Sequence, residues 1–119
     1  MFILSYPLTT PSRIRNRIEV SESDISDEVL QEFIEDETAY LEAYAGKELS
    51  DSALAAAICT DRCAIRALVR LIDLHSEGEI FVMDVNNKGI ILSDLRRDVK
   101  SMMPLLKDKI HLKPKNTTS

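Results

Sequence analysis

Two cysteines, two histidines and one glutamate on an apolar helix face are the residues from which chemistry would have to be built. Cys59 and Cys63 stand four apart, which puts both thiols on one helical face, where a disulfide between them is strained. A Cys-x3-Cys pair without a second pair of ligands is not a zinc signature, so the two read as small apolar fillers of a reducing compartment. His75 and His111 fall at the ends of different helices, and neither has a carboxylate or cysteine at ligand spacing. Gly46, Gly78 and Gly89 lie far apart at predicted turns, so no glycine loop cradles a phosphate. The acids between Asp24 and Glu48 lack the spacing of a calcium loop, and members such as Glu35 and Asp36 read as a solvated face. The expectation is no enzyme, no metal and no cofactor.

Glu37 is the residue out of place. It projects about 40° from Phe33, in the middle of an apolar helix face. A buried carboxylate without a partner is costly, so Glu37 is expected to meet an arginine, with Arg62 or Arg66 nearest on the following helix. The alternative is a hairpin splayed enough for Glu37 to reach water. Arg62, Arg66 and Arg70, at i, i+4 and i+8, form the one charged strip on that following helix, and with Glu37 they make the candidate ion-pairing or subunit-interface set. A second basic group, Arg96, Arg97 and Lys100, opens a basic C-terminal stretch that could contact phosphate.

The elements that must position these groups follow from capping and periodicity. The reading is one domain over 1–119: mainly α, a small helical bundle built on an antiparallel hairpin, with a short β-hairpin before the C-terminal helix. Residues 1–9 form an extended apolar arm ending near Pro7. Thr10 caps a short helix over 10–18 with Pro11 at its first position. Ser26 caps the next, over 26–45, with Asp27 and Glu28 in its first turn and Gly46 as the left-handed stop. A long helix follows over 50–76, capped by Ser50 and stapled by Leu49 onto Leu54. In it Leu54, Ile58, Ile65, Val69 and Ile72 share about 60° of arc, and Leu68, Leu71 and Leu74 fill much of the rest. So apolar a helix needs several covering neighbours, from its own chain or another copy.

Past Gly78 the pattern changes. Ile80–Val85 and Ile90–Leu92 read as two strands around a turn at Asn86–Gly89, a possible hairpin over 79–92. Ser93 then caps a final helix over 94–111, in which Pro104 lies opposite the apolar stripe and should bend the axis. Residues 113–119 read as a frayed polar tail.

A chain of 119 residues with 45% hydrophobic and 29% charged residues fits a single modest core. Neither a secretory signal nor a membrane span is expected, so synthesis is placed inside the cell. The net charge of −5 conceals segregation. Residues 1–18 hold three arginines and no acid, residues 19–51 twelve acids against Lys47, and residues 52–119 eleven bases against eight acids. Such blocks are either complementary surfaces or solvated faces.

The run from Thr10 to about Leu74 resembles the head-tail connector, or adaptor, proteins of tailed phages and prophages. The segments that carry the likeness are TPSRIRNRI, SESDISDEVLQEFIEDETAYLEAYAGKELS and ALAAAICTDRCAIRALVRLIDL, in which an acidic helix ending AYLEAYAG leads into a long bundle helix. Glu37 departs from the pattern, since such helices place a small apolar residue there, and the 79–92 stretch has no match. The resemblance implies a structural subunit that forms a homo-oligomeric ring on the portal protein, meets tail-completion proteins, and resides in the host cytoplasm during assembly and then in the virion. It implies no membrane contact and at most non-specific contact with nucleic acid. The competing expectation is a small helical DNA-binding or regulatory protein acting as a dimer.

Overall fold

The computed structural model describes residues 7–79 and 83–118, with side chains as far as residue 107. Four helices make up the regular structure of the described residues: α1 (Pro11–Ile18), α2 (Asp27–Ala45), α3 (Ala53–Ser76) and α4 (Val85–Thr118). Each start has a local cause. The Thr10 hydroxyl accepts from the Arg13 amide with Pro11 next in line, and the Ser26 hydroxyl accepts from the Val29 amide. Gly46, at φ 78°, closes α2 by returning its amide to the Glu42 carbonyl. Glu19 does the same for α1 at φ 57°, a conformation that favours glycine.

The core is assembled around α3, on which α1, α2 and α4 all pack. Its buried face differs from the expected one. Ala55, Cys59, Cys63, Ala64 and Ala67 are fully buried with Ile58, Leu68 and Leu71, whereas Leu54, Ile65, Val69 and Ile72 are only half-buried. Small side chains let neighbouring helix axes approach, so the alanine and cysteine side of α3 takes the centre and the bulkier residues lie at its margins. From the surrounding helices Ile14, Ile18, Leu30, Ile34, Leu41 and Leu95 complete the core.

Two boundaries shift from the sequence reading. The long helix starts at Ala53, not at 50, because Ser52 and not Ser50 is the cap, its hydroxyl accepting from the Ala55 amide at 3.0 Å. The residues before it are spent on a turn: the Ser52 amide reaches the Leu49 carbonyl, and the Leu49 amide reaches the Glu42 carboxylate at 2.9 Å. Leu49 itself is buried.

The β-hairpin is absent among the described residues. Residues 80–82 lie outside them, but Val85–Leu92, assigned to the turn and second strand, is the beginning of α4. Asp84 is the reason: its carboxylate accepts from the Asn87 amide at 3.0 Å and its carbonyl from the Lys88 amide, which caps a helix before any hairpin turn can form. Ser93 is therefore inside a helix rather than at its start. Pro104 is exposed and α4 passes through it. The helix also takes in residues 113–118, read as a frayed tail, since a polar composition limits what a stretch can bury and not whether its backbone can stay helical. Of the arm, residues 1–6 lie outside the description. Leu8 and Thr9 are buried, with the Leu8 amide donating to the Thr38 hydroxyl and Thr9 meeting Thr60 at 2.6 Å.

Candidate functional site

The α2–α3 seam carries the densest polar constellation. Antiparallel packing brings Glu37, in the middle of α2, level with Arg62 and Arg66 on α3. Arg62 Nε donates to Glu37 Oε1 at 2.6 Å, and Arg66 approaches Glu37 Oε2 and Asp36, each at 3.5 Å. Glu37 is 7% exposed, so its charge is compensated by protein rather than by water. The arginines are also placed by rings: Arg62 lies over Tyr40 at 4.3 Å and Arg66 over Phe33 at 4.5 Å, while Lys107 of α4 lies over Tyr44 at 5.0 Å. Phe33, Tyr40 and Tyr44 thus form a stripe along α2, each ring covered by a cation from another helix. Arg70 does not join this cluster. It is exposed on the last turns of α3, beside a shallow groove with Phe33, Val69 and Leu74.

A second polar cluster lies on the other side of α3. Arg17 of α1 donates to Asp61 of α3 at 3.1 Å and reaches Asp98 of α4 at 3.4 Å, so one guanidinium joins three helices. Burial pushes the Asp61 carboxyl above the ordinary carboxylate range, the Arg17 charge and hydrogen bond oppose this, and Asp98 adds to it. These groups wall an open groove of about 760 Å³ floored by Ala53, Ala56 and Ala57. The wheel contains a signal for Asp61, because it falls about 20° from Leu54 and Ile72, an acid on an apolar arc by the same test that singles out Glu37.

A third polar contact has no such signal while residues 85–92 are read as a turn and strand. Lys88, buried on the first turns of α4, donates from Nζ to the Ile18 carbonyl at 2.8 Å and the Glu19 carbonyl at 3.3 Å, capping the C-terminus of α1. Once α4 begins at Val85, Lys88 falls within about 20° of Leu95 on the wheel, and its burial becomes legible.

The remaining candidates separate. Cys59 and Cys63 are free and fully buried, and the Cys63 thiol, hydrogen-bonded to Cys59 and cut off from water, is held well above the ordinary thiol range. His75 is half-buried at the end of α3, and the His111 side chain lies outside the description. Arg96 and Lys100 are exposed and have no ion pair among the described residues, whereas Arg97 pairs with Asp94 at 3.1 Å. No group of three or more histidine, cysteine or acidic side chains is placed to hold a metal among the described residues, and no helix there is long and apolar enough to cross a membrane.

No protein-family model, curated protein or solved structure matches the chain. These clusters make ion pairs that join the helices to one another. Tyrosine and arginine, concentrated here along the α2–α3 seam, are the side chains most enriched where proteins bind one another.

Proposed function

We propose that this chain is a structural head-tail connector subunit that assembles on a phage portal and joins the DNA-filled head to the tail. The observation that carries the reading is the helical hairpin: an acidic α2 stopped at Gly46 leads through a short turn into a central α3 enclosed by the other helices. An acidic helix that ends at a glycine and leads into a long helix is the feature on which the resemblance over Thr10–Leu74 rests. An enclosed α3 frees the outer faces of α2 and α4 to meet other subunits, and their charges are opposite in sign.

The test has two arms. Portal, capsid and tail genes beside the coding sequence are expected, and immobilised portal should retain the purified protein. A protein that ignores portals, and whose gene lies among unrelated ones, would overturn the reading.

A second reading draws on Arg96 and Lys100, which are exposed on α4 without ion-pair partners among the described residues: a helical DNA-binding or regulatory protein acting as a dimer. It requires salt-dependent binding to duplex DNA that is lost when Arg96, Arg97 and Lys100 are changed to alanine.

A further inference from the structure

Two outward helix faces carry uncompensated charge of opposite sign. On α2, Glu28, Glu32 and Glu35 are exposed and form no ion pair among the described residues. The capping serine and first-turn acids of α2 account for Asp27 and Glu28 locally, but Glu32 and Glu35 lie beyond the reach of the helix dipole. Like charges one turn apart on a helix repel, by a few tenths of a kcal/mol per pair. No ion pair among the described residues offsets that cost. On α4, Arg96 and Lys100 repeat the situation with the opposite sign.

The faces also match in geometry. Glu28 and Glu32, like Arg96 and Lys100, are one turn apart, about 6 Å of rise, so the charges of one helix can register against the other when the two lie side by side. The two faces belong to different helices of one chain, so a contact between them is head-to-tail and leaves the pair with one free face of each sign, the basic one on the first copy and the acidic one on the second.

We infer that the acidic outer face of α2 docks onto the basic outer face of α4 of a second copy of this chain. The inference deepens the connector reading by naming the faces that mate. It can fail separately, because a monomer can still be captured by a portal, and a self-associating chain can ignore one.

The experiment is sedimentation equilibrium of the full chain in a salt series. Association is expected at about 50 mM salt and should weaken by roughly tenfold or more at about 500 mM. Two charge reversals sharpen it: Glu32→Lys with Glu35→Lys, and Arg96→Glu with Lys100→Glu. Each double variant alone should sediment as a monomer with its helical circular dichroism unchanged. An equimolar mixture of the two should associate again, because the α2 face of the first then matches the α4 face of the second, and the converse pair matches as well. A wild-type chain that is monomeric at low salt, or assemblies indifferent to both reversals, would overturn the inference. So would a reversal at Arg96 and Lys100 that abolishes duplex DNA binding while leaving the sedimented mass unchanged. The salt series on the unaltered chain stands independently of either variant.

Discussion

On one side of α3 a single carboxylate meets two guanidinium groups, and on the other a single guanidinium meets two carboxylates. The difference decides how each cluster tolerates burial. Glu37 is the most enclosed member of its cluster, and both its partners are cations whose flat faces also rest on rings, so the buried charge is matched, and Asp36 meets Arg66 at the exposed edge. Around Arg17 the buried member is again an acid, Asp61, but its only cation is shared with Asp98 and is itself 41% exposed on the side chain. There the deficit falls on the buried group, and the Asp61 carboxyl holds its proton more tightly than an ordinary one. Two clusters made of the same side-chain types therefore do different work: the first fixes the register of α2 on α3, and the second leaves a site that responds to pH.

The largest way to break the contrast is Arg62→Ala. It removes the 2.6 Å bond to an enclosed carboxylate and the cation over Tyr40, and the more distant Arg66 cannot replace it. A loss of about 2 kcal/mol in denaturant unfolding at neutral pH is expected, below the range for a fully buried pair because Arg62 is partly exposed. A loss under a few tenths would mean that Glu37 finds water and that the seam does not set register.

Arg17→Ala should cost less, about 1 kcal/mol at pH 7, since the arginine is more exposed and surface pairing is screened. Its signature is pH dependence. With the cation gone, Asp61 is pushed still further up, so the penalty should shrink as the solution is acidified and Asp61 takes up a proton. Unfolding curves of variant and parent that converge as the solution is acidified are the expected outcome, and parallel curves would show that Asp61 is not the group responsible.

Asp61→Asn sharpens the same side. A carboxyl raised in the folded chain keeps its proton where the unfolded chain has already released it. Its contribution therefore favours the folded state below the ordinary carboxylate range and is lost as pH rises through the raised value. The asparagine variant should lack that fall, changing stability by under about 1 kcal/mol at pH 7 while flattening its dependence just above the ordinary carboxylate range. The smallest effect is reserved for Arg66→Ala. Its contacts are 3.5 Å and its side chain is 38% exposed, so a change of about 0.5 kcal/mol in the same unfolding measurement is expected, about a quarter of that for Arg62.

These contrasts also explain what was readable in the chain. Thr10, Ser26 and Gly46 mark helix ends because a cap needs only local chemistry, and each closes its helix as its residue type dictates. The main error, a β-hairpin over 79–92, came from giving Asn86–Gly89 turn chemistry. Asn and Gly are equally at home in the first turns of a helix when an aspartate stands before them, and Asp84 does. The buried face of α3 was misplaced for another reason. Hydrophobic bulk marks an apolar arc, whereas close helix packing selects the small residues beside it. Of the site, Glu37 was visible as an acid on an apolar arc, and Asp61 was open to the same test. The sharing of Arg17 between Asp61 and Asp98 was not, because it depends on how three helices separated in sequence come together.

Lys88 gives the fold an order in time. The bond from its ammonium to the Ile18 carbonyl spans 70 residues of chain, and apart from the approach of Arg17 to Asp98 the main contacts of α1 are with α2 and α3, synthesised earlier. Closing so long a loop is favourable only after the intervening hairpin has shortened the effective distance. During synthesis α2 and α3 can pair as soon as they leave the ribosome, while the end of α1 stays open until the start of α4 emerges. A chain stalled before residue 88 should hold a protected α2–α3 hairpin and an α1 whose final amides exchange freely with solvent, and release of the next few residues should close it.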